Sequence, residues 1–290
     1  MDNQDLIHRI ESSYKRMSKG QKLIAEYIMK NYDKAAFMTA SRLGNIVGVS
    51  ESTVVRFANA LNYDGYPKLQ KALQELIRNK LTTVQRIELS ADMDQSMVLK
   101  NVLKADMHNI RNTIEEVDNE VFNAVISKIL DAKNIYVLGL RSAAPLAQFM
   151  GYYLNFIFNN VRVVTSGIND IFEQLFHIGK GDLLFGISFP RYASRAIEAM
   201  KFSKEREADT VALTDSFLSP LTNYADYSLL AKSDMASFVD SLVAPLSVIN
   251  ALIVGIGQVK KDEISFGFHQ LEDIWEEYQV YIEKEKSKSI

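Results

Sequence analysis

Four polar side chains that are not needed for an apolar core lie close together in sequence near residue 50 of this 290-residue chain. They occupy the first turns of a predicted helix and are Glu51, Ser52, Thr53 and Arg56. Hydroxyl and guanidinium groups are side chains that hydrogen-bond base edges and phosphates of nucleic acids. An ordinary helical hairpin with a polar outer face has the same spacing, so the pattern alone leaves both interpretations open.

The residues around this cluster, 39–62, predict two short helices joined by a tight turn. Gly48 falls at the turn, where a backbone without Cβ is least strained, and Gly44 falls where close packing requires a small residue. Ser50 precedes the second helix as its N-cap. The expected inward face is Leu43, Val47, Val49, Val54 and Phe57. This is the helix-turn-helix pattern, whose second helix lies in the major groove of DNA.

A second group of hydroxyl and arginine side chains follows the predicted strands of the rear half. Open parallel sheets bind ligands beyond the carboxyl ends of their strands, and helix N-termini with nearby hydroxyls bind anions. The residues at these positions are Arg141, Ser142, Thr165, Ser166, Ser188, Arg191, Tyr192, Thr214 and Ser216. N-capping explains single hydroxyls, and surface ion pairs explain single arginines. Their recurrence on adjacent loops favours a phosphate-binding site.

The elements that must position this second group alternate between strand and helix. The β-rich runs are Ile135–Leu138, Val161–Thr165, Leu183–Ile187, Thr210–Leu213 and Tyr227–Leu230. Helices are predicted at 143–158, 169–177, 193–206, 217–224, 237–258 and 267–285. Such alternation predicts a buried, parallel five-stranded sheet flanked by helices, with right-handed crossovers.

The front of the chain is predicted to be all-helical. Helical periodicity covers 3–15, 18–31 and 67–79, on either side of the helix-turn-helix. Residues 81–96 are predicted to be a linker. The apolar positions Leu103, Met107, Ile110, Ile114 and Val117 then form a heptad-like seam, either a dimer helix or a helix packed on the neighbouring domain. The predicted domains are 1–80, a linker and connecting helix over 81–118, and 119–290.

Composition and charge restrict the class of protein. Hydrophobic residues make up 47% and charged residues 24%, as is typical of soluble globular proteins. There is no Cys, and four scattered His residues show no metal-site spacing. The net charge is −3 overall, but residues 1–80 hold 13 Lys and Arg against 8 Asp and Glu. A basic front on an acidic body is typical of modular DNA-binding proteins. We expect a cytoplasmic protein without membrane contact or cofactor.

Six short segments resemble one family, the RpiR-type transcriptional regulators. The segments are 18–28, 48–57, 61–66, 187–192, 212–216 and 219–221. In that family a helix-turn-helix domain precedes a sugar-isomerase-type (SIS) domain with a flavodoxin-like fold. The resemblance covers nearly the whole chain.

The resemblance implies a regulator of carbohydrate metabolism genes that binds operator DNA as a homodimer or homotetramer. A sugar phosphate or related sugar acid is the implied effector. The expected DNA contacts are Ser50, Glu51, Ser52, Thr53, Arg56 and Tyr66. The expected effector contacts are Arg141, Ser142, Thr165, Ser166, Ser188, Arg191 and Tyr192. Ser142 and Ser188 are the positions whose hydroxyls hold the phosphate in the family.

Two loops depart from the pattern of the family. Arg141 stands where the first loop usually has a second Gly. The third loop is usually S-x-S-G-x-T, and here Pro190 and Ala193 lack the hydroxyls, while Arg191 and Tyr192 stand in their place. We expect an effector with a second anionic group, such as a carboxylate, that an arginine fork can bind.

Two other function classes compete with a DNA-binding regulator. One is a sugar-phosphate isomerase with a helical appendage, which needs a carboxylate or His base. The candidates are Glu173, His177, His269 and Glu272, and no motif distinguishes them from polar residues of a helix surface. The other class is a metabolite-dependent regulator that binds protein rather than DNA, and the polar face from Glu51 to Arg56 argues against it.

Overall fold

The computed structural model describes residues 6–80, 87, 95–217, 219–235 and 237–281. The chain divides into two compact units, Met1–Ala91 and Asp92–Ile290. Most of the predicted linker over 81–96 lies outside the described residues. The domain boundaries predicted above therefore stay a prediction.

The described part of the front unit is helical. Its helices are α1 (Leu6–Ser13), α2 (Lys19–Lys30), α3 (Tyr32–Ala35), α4 (Ala40–Val47), α5 (Glu51–Ala60) and α6 (Tyr66–Lys80). Reciprocal bonds start α2, since the Ser18 hydroxyl accepts from the Gln21 amide and the Gln21 side chain accepts from the Ser18 amide. Helix α3 is not predicted from the sequence, because four residues are too few to show a helical period. The side chains that close the core are Ile24, Ile28, Leu43, Val54, Phe57, Leu69 and Leu73.

Tyr66 lies inside this core, and its predicted role in DNA contact is wrong. Tyr66 is only 4% exposed. The hydroxyl donates to the Met38 carbonyl at 2.8 Å, and Gln70 Nε2 donates to the same carbonyl at 2.9 Å. Tyr66 thus fastens α6 to the segment that follows α3, and neither its ring nor its hydroxyl is presented to a partner.

The rear unit has two helices, then a strand–helix alternation. The helices are α7 (Val98–Glu116), α8 (Asn119–Asp131), α9 (Ala144–Ile157), α10 (Ile171–Gln174), α11 (Ser194–Lys204), α12 (Val243–Val259) and α13 (Lys261–Glu277). The strands are β1 (Ile135–Gly139), β2 (Val161–Val164), β3 (Leu183–Ile187), β4 (Asp209–Thr214) and β5 (Tyr227–Leu230).

All five strands are parallel, in the order β2-β1-β3-β4-β5, and the predicted fold class is confirmed. β1 and β3 are buried along their whole length because apolar helices cover both faces of the sheet. One face packs on α8, α9 and α12, and the other on α10 and α11. Gly139 ends β1, where a Cβ would lie 2.5 Å from the Ala143 carbonyl oxygen.

Three predicted helices are shorter in the structure. Among the described residues of 217–224, only a single 3-10 turn, Thr222–Tyr224, forms, because Pro220 has no backbone N–H to donate. Residues 169–177 yield only the four residues of α10. The helix predicted from 237 begins at Val243, because side chains of α7 hold the preceding segment: Asn109 bonds the backbone of Asp234, and Asp106 accepts from the Ser241 hydroxyl.

No single helix among the described residues is long and apolar enough to cross a membrane. Only α12 and α13 taken together pass on length and composition, and they are bent by 97° at their junction.

The buried phenol of Tyr66 predicts a specific loss of stability in alkali. Burial raises the pKa of Tyr66 to about 12 from an ordinary value of 10.0. Stability from the neutral phenol is therefore complete below pH 10 and is lost between about pH 10 and about pH 12, because the unfolded chain releases its proton first. Urea unfolding of the full chain at pH 8 and pH 11 measures this loss.

The Tyr66→Phe variant is the control. It should be about 1 kcal/mol less stable at pH 8, because the bond to Met38 is lost. The difference from wild type should shrink in alkali, since the variant has no phenol at this position. A difference that stays constant from pH 8 to pH 11 would contradict the assignment.

Candidate DNA-reading helix and effector site

The turn between α4 and α5 is built from two glycines. Gly48 adopts the left-handed conformation at φ 77°, and its N–H donates to the Gly44 carbonyl. The Val49 N–H donates to the same carbonyl at 2.9 Å. A Cβ on Gly44 would lie 2.7 Å from the Val49 carbonyl oxygen. The two helices can therefore approach this closely only with glycine at 44.

Polar side chains cover the first turns of α5. Ser50 caps the helix, accepting from the Thr53 amide at 3.3 Å. Its hydroxyl also lies 2.9 Å from those of Ser52 and Thr53. Arg56 donates from Nε to the Ser52 carbonyl at 3.3 Å. The predicted contacts Ser50, Glu51, Ser52 and Arg56 are exposed, and Thr53 is half-buried.

A hollow beside this surface contains residues that the sequence analysis did not single out. It is lined by Ser18, Gly20, Gln21, Val49, Ser50, Thr53 and Arg56. Gln21 Nε2 donates to the Arg56 carbonyl at 3.4 Å, which ties the start of α2 to α5. Two helix N-termini therefore open on one hollow, and each carries a partial positive charge that favours a phosphate group. The spacing of Ser18 and Gln21, which is typical of a capping box, is the sequence signal for the helix that begins at this hollow.

In the rear unit, the loops after β1 and β3 stand side by side. Gly139 pairs with Ile187 at the carboxyl ends of these strands. Arg141 follows β1 at φ 56°, and Arg191 follows β3 at φ 66°. Arginine rarely adopts this left-handed conformation, which costs about 1–3 kcal/mol for a residue other than glycine. Strain of this kind persists only where the surroundings enforce it, and it is concentrated at functional sites.

The hydroxyls of the first two loops are not helix caps. Residues Arg141–Ala143 form a 3-10 turn, and α9 begins after Ala143 without a side-chain cap. Asp170, rather than Ser166, caps α10. Ser142 and Ser166 are exposed and Thr165 is half-buried. Capping therefore does not explain Ser142 or Ser166.

The third loop is tied to the end of β4. Ser188 is 5% exposed, and its amide donates to the Leu213 carbonyl at 3.2 Å. The Tyr192 hydroxyl donates to Asp215 Oδ1 at 2.7 Å. Thr214 also donates to Asp215 Oδ1, at 3.3 Å. The loops after β3 and β4 therefore form one connected polar edge.

A buried cation at the same edge was missed from sequence. Lys232 lies two residues after β5 and is 8% exposed. Its Nζ donates to the Asp215 carbonyl at 3.3 Å and forms an ion pair with Glu116 at the end of α7. The two residues are far apart in sequence, so no local pattern shows that they meet.

The candidate bases for isomerisation do not form one site. Glu173 is part of the capping box of α10, since it accepts from the Asp170 amide at 3.0 Å. His177 is exposed near α10, whereas His269 and Glu272 are exposed on α13. The helix α10 packs on one face of the sheet, and α13 packs on helices of the other. The described residues also contain no group of His, Cys, Asp and Glu arranged for a metal ion.

Comparisons with known proteins match this architecture. Residues 4–80 match the family model described as the helix-turn-helix domain of the rpiR family, and residues 128–255 match the SIS domain. Together they cover more than half of the chain. The chain thus belongs to the RpiR family, whose members are DNA-binding transcriptional regulators with a helix-turn-helix domain and a SIS domain.

Named relatives and solved structures agree with this family assignment. The regulator HexR of Escherichia coli is 26% identical over 259 residues, 87% of each chain. An HTH-type transcriptional regulator of Haemophilus influenzae is 24% identical over 89% of this chain and 92% of its own. The sugar isomerase domain of an RpiR transcription factor from Sphaerobacter thermophilus is 26% identical, with a TM-score of 0.59 over 61% of this chain and 99% of that one. The Vibrio vulnificus NanR protein complexed with ManNAc-6P shares the fold, with 20% identity and a TM-score of 0.57 over 93% of this chain and 97% of that one.

Proposed function

We propose that this regulator reads operator DNA with α5, and that a phosphorylated sugar or sugar acid at the carboxyl edge of the sheet controls that reading. The genes it controls would serve carbohydrate metabolism. The observation that carries the effector half is the pair of left-handed arginines, Arg141 and Arg191, on adjacent loops. The NanR relative, solved with ManNAc-6P, supports a sugar phosphate as the class of effector.

The chemistry of the edge favours a ligand with two anionic groups. Ser142 and Ser188 stand at the positions that hold the phosphate in the family. Arg141 and Arg191 add two guanidinium groups, each able to bind a phosphate or carboxylate with two parallel hydrogen bonds. A sugar phosphate that also carries a carboxylate satisfies both sets of donors.

The same edge favours binding without catalysis. Aldose–ketose isomerisation requires a base within hydrogen-bond reach of the substrate carbons. Among the predicted bases, Glu173 is used in a helix cap. His177 lies near α10 on one side of the sheet, and His269 lies on α13, which packs on helices of the other side. We infer that the SIS unit is a sensor in this protein.

We also propose that two copies of the chain associate through α7. The predicted seam is apolar and strongly exposed at Leu103 (53%), Met107 (64%) and Ile114 (68%). The neighbouring face of α7, with Asn109 and Thr113, packs into the unit, and the seam residues Ile110 and Val117 are half-buried beside it. An apolar stripe of this kind at heptad spacing is typical of a helix that pairs with a second helix.

The placement of α5 predicts that Arg56→Ala weakens DNA binding. A side chain that reads a base edge contributes about 1–3 kcal/mol, so affinity should fall about tenfold or more. The duplex would be selected from a random library with wild-type protein, and affinities would be measured by gel shift at one salt concentration. Lys30→Ala, at the far end of α2, is the control and should change affinity less than twofold. Equal effects of the two variants would contradict the placement.

The strained arginines predict a loss of affinity without a loss of stability. Arg191→Gly removes the guanidinium and also relieves the left-handed strain, so the free energy of unfolding should hold or rise by up to about 1 kcal/mol. Affinity for the effector should fall about tenfold or more. The effector is found by a thermal-shift panel of sugar phosphates and sugar acids, which includes glucose 6-phosphate and 6-phosphogluconate, and titration calorimetry gives its Kd.

Arg195→Gly is the matched control for this variant. Arg195 lies four residues further on, in α11, and pairs with Asp170 and Glu198 at the surface. It should bind the effector as wild type does. If Arg191→Gly binds the effector with wild-type affinity, the arginine is not part of the site. If no compound of the panel raises the melting temperature, the proposed class of effector is rejected.

The exposed seam predicts that Met107→Glu separates the copies. A buried carboxylate at the centre of an apolar interface is strongly unfavourable, so sedimentation should report the mass of one chain for the variant and of two or four for wild type. Lys104→Glu, on the charged side of the same helix, should leave the mass unchanged. A Met107→Glu variant with the mass of wild type would move the interface elsewhere.

A further inference from the structure

The buried ammonium of Lys232 needs an anion. Lys232 is 8% exposed as a residue, and its side chain 10%. Removing the partner of a buried charge is strongly destabilising, because the remaining ion cannot recover its hydration. The anion that meets this need in the structure is the carboxylate of Glu116.

The position of Lys232 places this charge at the proposed effector edge. Its Nζ donates to the backbone carbonyl of Asp215, whose carboxylate accepts from the Tyr192 hydroxyl. Tyr192 immediately follows Arg191. Lys232 is therefore separated by two contacts from the loop whose arginine adopts the left-handed conformation.

The two members of the ion pair are held very differently. The Glu116 side chain is 37% exposed, against 10% for Lys232. Glu116 is also the last residue of a 19-residue helix, where the carbonyl ends of the helix disfavour a negative charge. Of the two side chains, Glu116 has the easier access to solvent. An incoming anion would therefore replace the Glu116 carboxylate, while Lys232 stays in place.

The end of α7 is fastened to this edge by polar groups. The Lys232 amide donates to Thr113 Oγ1 at 2.9 Å. The side chain of Asn109 donates to the Asp234 carbonyl at 2.9 Å and accepts from its amide at 3.1 Å. The ion pair of Glu116 closes this series of contacts. Breaking the ion pair between Glu116 and Lys232 would therefore loosen the last turn of α7.

We propose that Lys232 is an anion-binding residue of the effector site and that Glu116 occupies it in the absence of effector. The phosphate or carboxylate of the effector replaces the Glu116 carboxylate on Lys232 and releases the end of α7. Glu116 is thus a built-in competitor that sets the effector concentration needed for a response. The inference rests on the proposed binding of an anionic effector at this edge.

Inorganic phosphate is the probe that tests the exchange, with the full chain in a phosphate-free, low-salt buffer. Glu116→Gln removes the competing charge and keeps the shape of the side chain. Titration calorimetry should show phosphate binding about tenfold tighter than in wild type, as expected if Glu116 leaves the site open in about a tenth of wild-type molecules. Glu115→Gln, the adjacent residue of α7 and also exposed, should bind as wild type does.

A second variant tests whether the tighter phosphate binding depends on Lys232. Lys232→Gln in the Glu116→Gln background should bind phosphate no more tightly than wild type does. Neither side chain is then charged, so no buried ion is left unpaired. Hydrogen exchange of wild type should also rise in the last turn of α7 when phosphate is added, because the ion pair opens.

Three outcomes would overturn the inference. They are a Glu116→Gln variant that binds phosphate no better than wild type, a gain that survives the loss of Lys232, and a gain matched by Glu115→Gln. These outcomes are distinct from a failure of the proposed effector class. If phosphate binds with the expected pattern but no compound of the sugar panel raises the melting temperature, the Lys232 site is supported and only the sugar ligand is rejected.

Discussion

Parallel pairing is the constraint on which the rear unit depends. Because all five strands run the same way, every strand delivers its following loop to one edge of the sheet. Residues as distant in sequence as Arg141, Arg191 and Lys232 thereby gather at one edge. The buried strands β1 and β3 directly precede two of these loops. Backbone strain such as the left-handed conformation of Arg141 and Arg191 persists only where the surrounding structure enforces it.

The same edge concentrates features that are unfavourable for stability. Strained backbone, a buried ammonium and a carboxylate at a helix C-terminus would each be removed by selection for stability alone. A ligand that binds only the folded edge offsets these costs when it is present. An effector can shift the regulator between two states only by the difference in its affinity for them. An ion pair that must open before the ligand binds is one source of such a difference.

Much of this architecture follows from local sequence. The turn at Gly48 and the cap at Ser50 were predicted because each depends on one residue type in one backbone geometry. The buried strands were predicted because short apolar runs such as Leu183–Ile187 alternate with helical segments, a pattern typical of a parallel sheet covered on both faces. The family resemblance then supplied the two-domain order.

The remaining features depend on contacts between distant residues. Tyr66 stands beside a DNA-reading motif, and only the carbonyl of Met38, 28 residues away, shows that its hydroxyl is used inside the core. The left-handed φ of Arg141 and Arg191 opposes the preference of the residue type, so propensity cannot reveal it. The pair of Lys232 and Glu116 exists only once α7 lies against the end of β5.

The most direct test of a ligand-gated DNA-binding protein is reciprocity. The Kd of the effector would be measured by titration calorimetry with and without a saturating amount of the selected duplex, and the Kd of the duplex with and without saturating effector. Linkage requires the two ratios to be equal, and a regulator should show a ratio of about 5 to 150. Equal effector affinity in the presence and absence of DNA would contradict the account, because ligand and operator would then bind independently.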